Sequence, residues 1–517
     1  MGRRSRFLFA LAWFVTAGRA VGTTFTVNDT ADAVDAVPGD GACATAGSAC
    51  TLRAAIQEAN AHTGPDMIMV PAGTYLLTIA GQAEDAAATG DLDITDDLTI
   101  TGAGAGSTIL EGNGIDRIFD VFNTASHVEI SALTIRNGNP GPGAGPASTA
   151  GYGGGLYNSS VLALSNVIVT SNTAAVNGGG IENDGDITLM DCVVTGNNAA
   201  TFGGGIDSAL TASLTNVTVS GNMSGAAGGI GNDSELTLDN VTVSDNTAMF
   251  TGGGIQNDVT ATLTNVTIAD NGAQSGSGSG VHNLGHATFR YVIVANGPSG
   301  NSCGGSGTLT SQGHNLDSGN TCGFAEPGDL ADMDPQLGPL QDNGGSTPTR
   351  ALSPGSPAID AGGNDCPPPA TDQRGLSRPE DGNGDGIAAC DIGAYELGGQ
   401  PPACPAAGPT LPSIACRLDD LIQTVQTVVA PGTLRDRLDG ILTRAKAQVG
   451  QAEQALANGK KHREKSMLGR ATGSLGQFKV RLRSRRAQHQ IPGDALAGMK
   501  SANDQLRHDL MTLRRSS

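Results

Sequence analysis

Between Gly153 and Asn296 one pattern of apolar and polar positions recurs about every 25 residues: a glycine run closed by an aliphatic residue, a short polar turn, then Leu-x-Asn-Val-x-Val-x-x-Asn. The closing aliphatic falls at Leu156, Ile181, Ile206, Ile230, Ile255 and Val281, in steps of 25, 25, 24, 25 and 26. A terminal asparagine keeps the same time at Asn172, Asn197, Asn222, Asn246 and Asn271. A unit this thin cannot bury its own apolar face, so the period predicts a solenoid that becomes stable by stacking. Within the units Val217 and Val219, Val241 and Val243, and Val266 and Ile268 alternate with Thr, the period-two signature of a strand with one buried face. Helical repeats are excluded, because Gly, Asn, Thr and Val are poor helix formers. The expected fold is an all-β right-handed parallel β-helix, one repeat per coil, with coils about 4.8 Å apart.

Stacking puts like on like. An asparagine before the first valine recurs as Asn166, Asn216, Asn240 and Asn265, with Asp191 in one coil. A second series, Asn158, Asn183, Asn232, Asn257 and Asn283, is broken by Ser208. Both are expected to bond side chain to side chain along the axis. Less regular coils precede the repeats from Met67, and Asn139 to Gly151 reads as a Gly/Pro-rich loop out of the shaft. Between Met67 and Leu330 there is room for ten or so coils, a shaft of roughly 50 Å.

The period changes outside this region. Leu52, Ala55, Ile56 and Ala59 fall on one helical face, which predicts an amphipathic helix capping the open end of the β-helix. Beyond a Pro/Gly linker at 397–413, stripes run through Leu418, Leu421, Ile422, Val425 and Val429, then from Leu438 to Leu456, from Leu468 to Leu482, and from Leu496 to Leu513. Breaks at Pro431, Gly459 and Pro492 complete the picture of a separate α-helical module over 414–517.

Composition agrees. In 517 residues hydrophobic content is 38% and aromatic content 3%, thin for a globular core but sufficient for a narrow interior of Val, Ile, Leu and Thr. Residues 1–20 read as a secretory signal peptide: Arg3, Arg4 and Arg6, an apolar run from Phe7 to Ala17, then small residues. No later stretch is long and apolar enough to span a membrane. The expected location is therefore outside the cell or on its surface. The helical module carries 19 Lys or Arg against 9 Asp or Glu, whereas the remainder of the mature chain has 7 against 41. A basic tail on an acidic shaft points to contact with anionic envelope polymers or lipid headgroups, and nucleic acid is not expected for an exported chain.

Nine cysteines suit an oxidising compartment. Near neighbours give the economical pairing Cys43 with Cys50, Cys303 with Cys322, Cys366 with Cys390 and Cys404 with Cys416. Cys192 stands at the inward position that Val217 holds one coil later and reads as a small buried hydrophobe.

Two stretches resemble known families. Cys50-Thr-Leu-Arg-Ala-Ala-Ile-Gln-Glu-Ala-Asn is similar to the Cys-Ser-Leu-Arg-Glu-Ala motif that opens many bacterial secreted β-helix proteins, with Thr51 and Ala54 departing from it. Asp334-Pro-Gln-Leu-Gly-Pro-Leu, Asp342-Asn-Gly-Gly, Ser356-Pro-Ala-Ile-Asp-Ala-Gly, Asp372-Gln-Arg-Gly and Asp391-Ile-Gly-Ala-Tyr-Glu resemble the choice-of-anchor region that ends such proteins. The Gly-Asn repeat is also similar to that of polymorphic outer-membrane proteins, which prefer Phe where this chain has Val. The resemblances imply a cap over 21–65, a β-helix over 66–333 and a terminal region over 334–396.

β-Helices commonly carry polysaccharide lyases and hydrolases, so the residues must be weighed. A lyase needs clustered carboxylates for Ca²⁺ and an Arg or Lys base. The mature shaft offers only Arg53, Arg117, Arg136, Arg290, Arg350, Arg374 and Arg378 as strong bases, and three of them lie in the terminal motifs. A hydrolase wants carboxylates converging from adjacent coils. Asp184, Asp207, Asp233 and Asp258 recur near the turn after the glycines and are read as solvated turn residues. His127, His282, His286 and His314 show no metal or triad spacing. The metal candidate is Asp381-Gly-Asn-Gly-Asp-Gly, with Asp381, Asn383 and Asp385 at alternate positions and Asp391 in place of the usual later Glu, as in Ca²⁺ loops. The reading is an exported non-enzymatic β-helical surface or extracellular protein, adhesin-like or structural. It would bind a surface polysaccharide or protein, need no cofactor, and have Ca²⁺ as its one candidate ion. An enzyme acting on acidic glycans is the alternative.

Overall fold

The computed structural model describes residues 22–81, 84–142, 151–274, 277–295, 301–363, 366–399, 410–430, 432–457 and 460–516. The expected signal peptide, most of the Asn139-to-Gly151 excursion, most of the expected linker, Pro431 and Gly459 lie outside them. The chain divides into two units, 1–400 and 401–517.

The first unit is a parallel β-solenoid. One face is a nine-stranded sheet of short strands running from Leu92–Ile94 to Cys303–Gly304, so eight turns separate its first and last strands rather than ten or so. The long face bends at mid-strand. Within Val161–Thr170, Val161 to Ser165 pair with Asp186 to Met190, and Ile168 to Thr170 pair with Val193 to Thr195. A third face holds five two-residue strands, from Thr173–Ala174 to Gly272–Ala273. Register places like on like: Ile206 pairs with Ile181 and Ile230, and Val243 with Val219 and Ile268. These inward side chains are fully buried.

Three left-handed corners close each coil. Asn166, Asp191, Asn216, Asn240 and Asn265 occupy the first, with φ between +52° and +56°. Asn and Asp tolerate this region because a short polar side chain satisfies backbone locally. The column read as an axial ladder is therefore chiefly a backbone device; its side-chain links, such as Asn240 to Asn216, are long at 3.3 Å. The other corners use Gly196, Gly221, Asp245 and Asp270, and Gly178, Gly203, Gly252 and Gly278.

The true ladders lie indoors. Asn172 donates through its backbone N and Nδ2 to Asn197 Oδ1, both at 3.0 Å, and the arrangement repeats through Asn222, Asn246 and Asn271. Each Nδ2 also donates to a strand carbonyl, as Asn172 does to Ile135 and Asn197 to Val169. In the second ladder Asn158 donates to Asn183, Asn183 to the Ser208 hydroxyl, and Asn232 to Asn257.

Helix α1 (Leu52–Ala61) packs its apolar face on the first coil, sharing a core with Phe25, Ile68, Leu92 and Ile94. Thr51 still serves as N-cap, accepting from Ala54 N at 3.1 Å. The disulfides Cys43–Cys50, Cys303–Cys322 and Cys366–Cys390 form as expected. Cys404 lies outside the described residues. Cys192 is fully buried, and burial pushes its thiol up to about 12.

The second unit is helical: α2 (Leu411–Val428), α3 (Thr433–Ala457), α4 (Lys461–Leu482), α5 (Arg485–Gln490) and α6 (Gly493–Ser516). Most residues of the four stripes make its core; Leu456 is exposed and Leu513 lies at the edge. The break between α4 and α5 was not expected. There Ser484 caps α5 by accepting from Ala487 N.

Candidate functional site

The terminal region, 334–396, lies along the bent half of the long face. Gln373 donates from Nε2 to Val217 O at 3.2 Å and the Thr218 hydroxyl at 2.8 Å, and its Oε1 accepts from Thr242 Oγ1 at 2.6 Å. Arg350 pairs with Asp245 at 2.9 Å and Asp270 at 2.7 Å. Arg378 reaches Asn265 Oδ1 at 3.1 Å, and Tyr291 donates to Gly362 O. Motif blocks far apart in sequence converge behind this surface. Asp372 accepts from Arg374 and from Glu396 N, and Glu396 accepts from Glu380 N and Asp391 N. The guanidinium of Arg374 lies 3.6 Å from the ring centre of Tyr395. Burial raises Glu396 to about 8 and Asp391 to about 6.

This knot bears on the Ca²⁺ motif. Asp391 is wholly buried and accepts from Asp360 N and Leu397 N. Asp381 accepts from Gly384 N, Asp385 N and Gly386 N, Asn383 accepts from Asp385 N, and Asp385 accepts from Ile387 N. Asp381, Asn383 and Asp385 thus share one exposed turn, whereas Asp391 belongs to the buried knot.

Two features on the solenoid surface have the makings of a site. The first is a cleft of about 500 Å³ between the long face and a wall formed by Pro367, Pro368 and Pro369. Thr215, Asp239, Thr264 and Arg290 line it at the same register position in four successive coils, and Gln312 follows them. Hydrogen-bonding groups therefore stand in a row, one about every 4.8 Å. Beside them runs a column of hydroxyls on the same face: Thr188, Ser213, Thr237, Thr262, Thr288 and Thr310.

The second is an outward column on the short-strand face, in register Asp93, Asp120, Tyr157, Glu182, Asp207, Gly231, Gln256 and His282. The expectation of a solvated row at Asp184, Asp207, Asp233 and Asp258 is corrected here. Asp184 and Asp233 are exposed and Asp258 half-buried. Asp207 belongs to the mid-strand column and is 5% exposed, beneath Phe202. Glu182, which the sequence did not single out, is 6% exposed in the coil below. Burial first, then repulsion from Asp207, raises Glu182 to about 10, and burial followed by repulsion from Asp233 raises Asp207 to about 7. Glu182 Oε2 and Asp207 Oδ1 have no hydrogen-bond partner. The only sequence signal was one acidic residue following the closing isoleucine in each of two coils.

The histidines stay apart: His314 stacks on Tyr291 and bonds Ala361 O at 2.8 Å, while His127 pairs with exposed Glu129. No family model matches the chain, and no curated protein is significantly similar to it. Fold and surface therefore define the class, a parallel β-solenoid repeat protein with a laterally docked terminal segment and a separate helical unit.

Proposed function

We propose that this is an exported, non-enzymatic β-solenoid protein of the cell surface or extracellular space that binds an extended polymer, a polysaccharide or a protein segment, along its long face. The row of Thr215, Asp239, Thr264, Arg290 and Gln312 under the proline wall carries the reading. Its evenly spaced donors and acceptors match a ligand that repeats along its length, as a glycan chain does. Three disulfides agree with an oxidising compartment. Among the described residues no helix is long and apolar enough to cross a membrane. A glycan array probed with the mature protein tests the reading, followed by Arg290→Ala. We expect at least a tenfold loss of the captured glycan; unchanged binding in Arg290→Ala and Asp239→Asn would remove the cleft from the account.

Glycan hydrolysis at Glu182 and Asp207 is the second reading, favoured by their unpartnered oxygens and separated proton affinities. Their burial places it second. Release of reducing sugar by the parent and its loss in Glu182→Gln would promote it.

The helical unit offers anionic polymers or headgroups a groove lined by Arg437, Arg444 and Arg481, with Gly440, Gly473 and Gly476 beside them. Its role is retention at the surface. Fractionation of a chain ending at Gly399 tests this, and undiminished surface association would refute it. The Asp381-to-Asp385 turn is proposed to take Ca²⁺ through Asp381, Asn383 and Asp385, with Asp391 supporting it from behind. Equal Ca²⁺ heats for Asp385→Ala and the parent would end that idea.

A further inference from the structure

We propose a second, distinct Ca²⁺ site at the N-terminal end of the short-strand column, formed by Asp91, Asp93 and Asp120. One carboxylate oxygen from each lies within 4.8 Å of the others. The three residues are 7%, 1% and 6% exposed. Asp93 and Asp120 face each other across adjacent strands, Leu92–Ile94 and Phe119–Val121, so backbone register fixes their approach.

The charge balance asks for a cation. Arg117 lies between Asp91 at 3.3 Å and Asp120 at 3.1 Å, with Asp116 at 4.0 Å. One guanidinium thus stands against four buried carboxylates, and buried charge without compensation is costly. A separate observation points to a ligand. Asp93 Oδ2 accepts from Ala87 N at 2.6 Å, but Oδ1, on this almost fully buried side chain, has no partner.

The surroundings are built, and the cap helix builds them. Arg53 pairs with Asp32 at 2.6 Å and donates to the carbonyls of Ala87, Gly90 and Asp91. Gln57 donates to Ala87 O at 3.1 Å, and Asn60 bonds Asp93 O at 2.7 Å and Thr95 N at 3.0 Å. Three side chains of the opening motif thereby shape the segment that carries Asp91 and Asp93. Gly90, at φ +63°, keeps space that a Cβ would deny to Asp116 Oδ2. An all-oxygen donor set without His or Cys selects a hard cation. Three carboxylates that can each bind through one or two oxygens suit the larger and more adaptable Ca²⁺ over Mg²⁺.

Calorimetry on the chelator-treated mature chain, with CaCl₂ and MgCl₂ in separate titrations, is the first test. A saturable Ca²⁺ class with Kd on the order of 10⁻³ M or tighter is expected, weakened at least tenfold in Asp93→Asn and still present in Asp385→Ala, whose heats lose only the contribution of the Asp381-to-Asp385 turn. Terbium luminescence excited through tyrosine gives a readout of position. Tyr157 is the register partner of Asp120 in the next strand, so Tyr157→Phe should lose most sensitised emission while its Ca²⁺ affinity stays within about twofold of the parent. If Asp93→Asn unfolds, Asp120→Asn and the terbium experiment on Tyr157→Phe decide. No Ca²⁺ binding by the parent, binding lost in Asp385→Ala and kept in Asp93→Asn, or emission indifferent to Tyr157→Phe would each overturn the proposal.

Discussion

A buried asparagine serves this chain in two ways, and substitution separates them. Asn197 accepts two bonds from Asn172 and donates to Asn222 and Val169. Asn197→Ala should strand several of these partners at about 1–3 kcal/mol each, read as a lower denaturant midpoint. Asn166 only turns the backbone at φ +52°, so Asn166→Gly should change stability by less than about 1 kcal/mol. Glu182 supplies a pH dependence. Its folded-state proton affinity lies above that of the unfolded chain, so its favourable contribution is complete below about pH 4.5 and is lost as pH rises towards about 10. Glu182→Gln should therefore match the parent near pH 4 and exceed it at pH 8 by on the order of 1–3 kcal/mol, measured by urea unfolding at both values. The sequence showed which positions hold asparagine, but not which column is indoors, because period alone does not tell an interior amide from a corner residue. It likewise left Glu182 unseen, since the burial of that carboxylate comes from the glycine turn folding over it.

Elements were more legible. Period-two alternation gave the strands, and helical stripes gave α1 and four of the five C-terminal helices. The break before α5 went unread because neither Pro nor Gly marks it; Ser484, three residues before Ala487, was its one signal. Within α1 the departure from Ser to Thr51 is harmless, since either hydroxyl caps. Arg53 is the residue on which the element depends, being 1% exposed and bound to Asp32 and three carbonyls. Arg53→Ala should cost about 3–5 kcal/mol by leaving the buried Asp32 side chain without its counter-charge and the carbonyls of Gly90 and Asp91 without this donor, visible as a lower melting temperature and earlier proteolysis near residues 84–95. The terminal segment behaves as a strap. Gln373→Ala removes bonds to two neighbouring coils, and limited proteolysis should then cut within 334–396 while the β-sheet circular dichroism persists.

At the scale of the whole molecule, fold class and the division into shaft and helical unit were legible because both rest on periodicity. The lateral docking of residues 334–396 was not, because contacts 100 and more positions apart leave no local period; Arg350 with Asp245 and Gln373 with Thr218 are examples. Intact mass with alkylation before and after reduction should show at least six cysteines protected in the oxidised protein, from the three bridges.

The strap carries one more consequence. Its attachment points at Asp191, Asn216, Asn240, Asn265 and Tyr291 fall on five consecutive rungs, so it acts as a ruler laid against a spring. Gain or loss of a whole repeat is sterically silent in a bare solenoid, since each end meets a copy of what it left. Beside a ruler of fixed length it is not, and these five rungs should resist the duplication and deletion to which tandem repeats are otherwise prone.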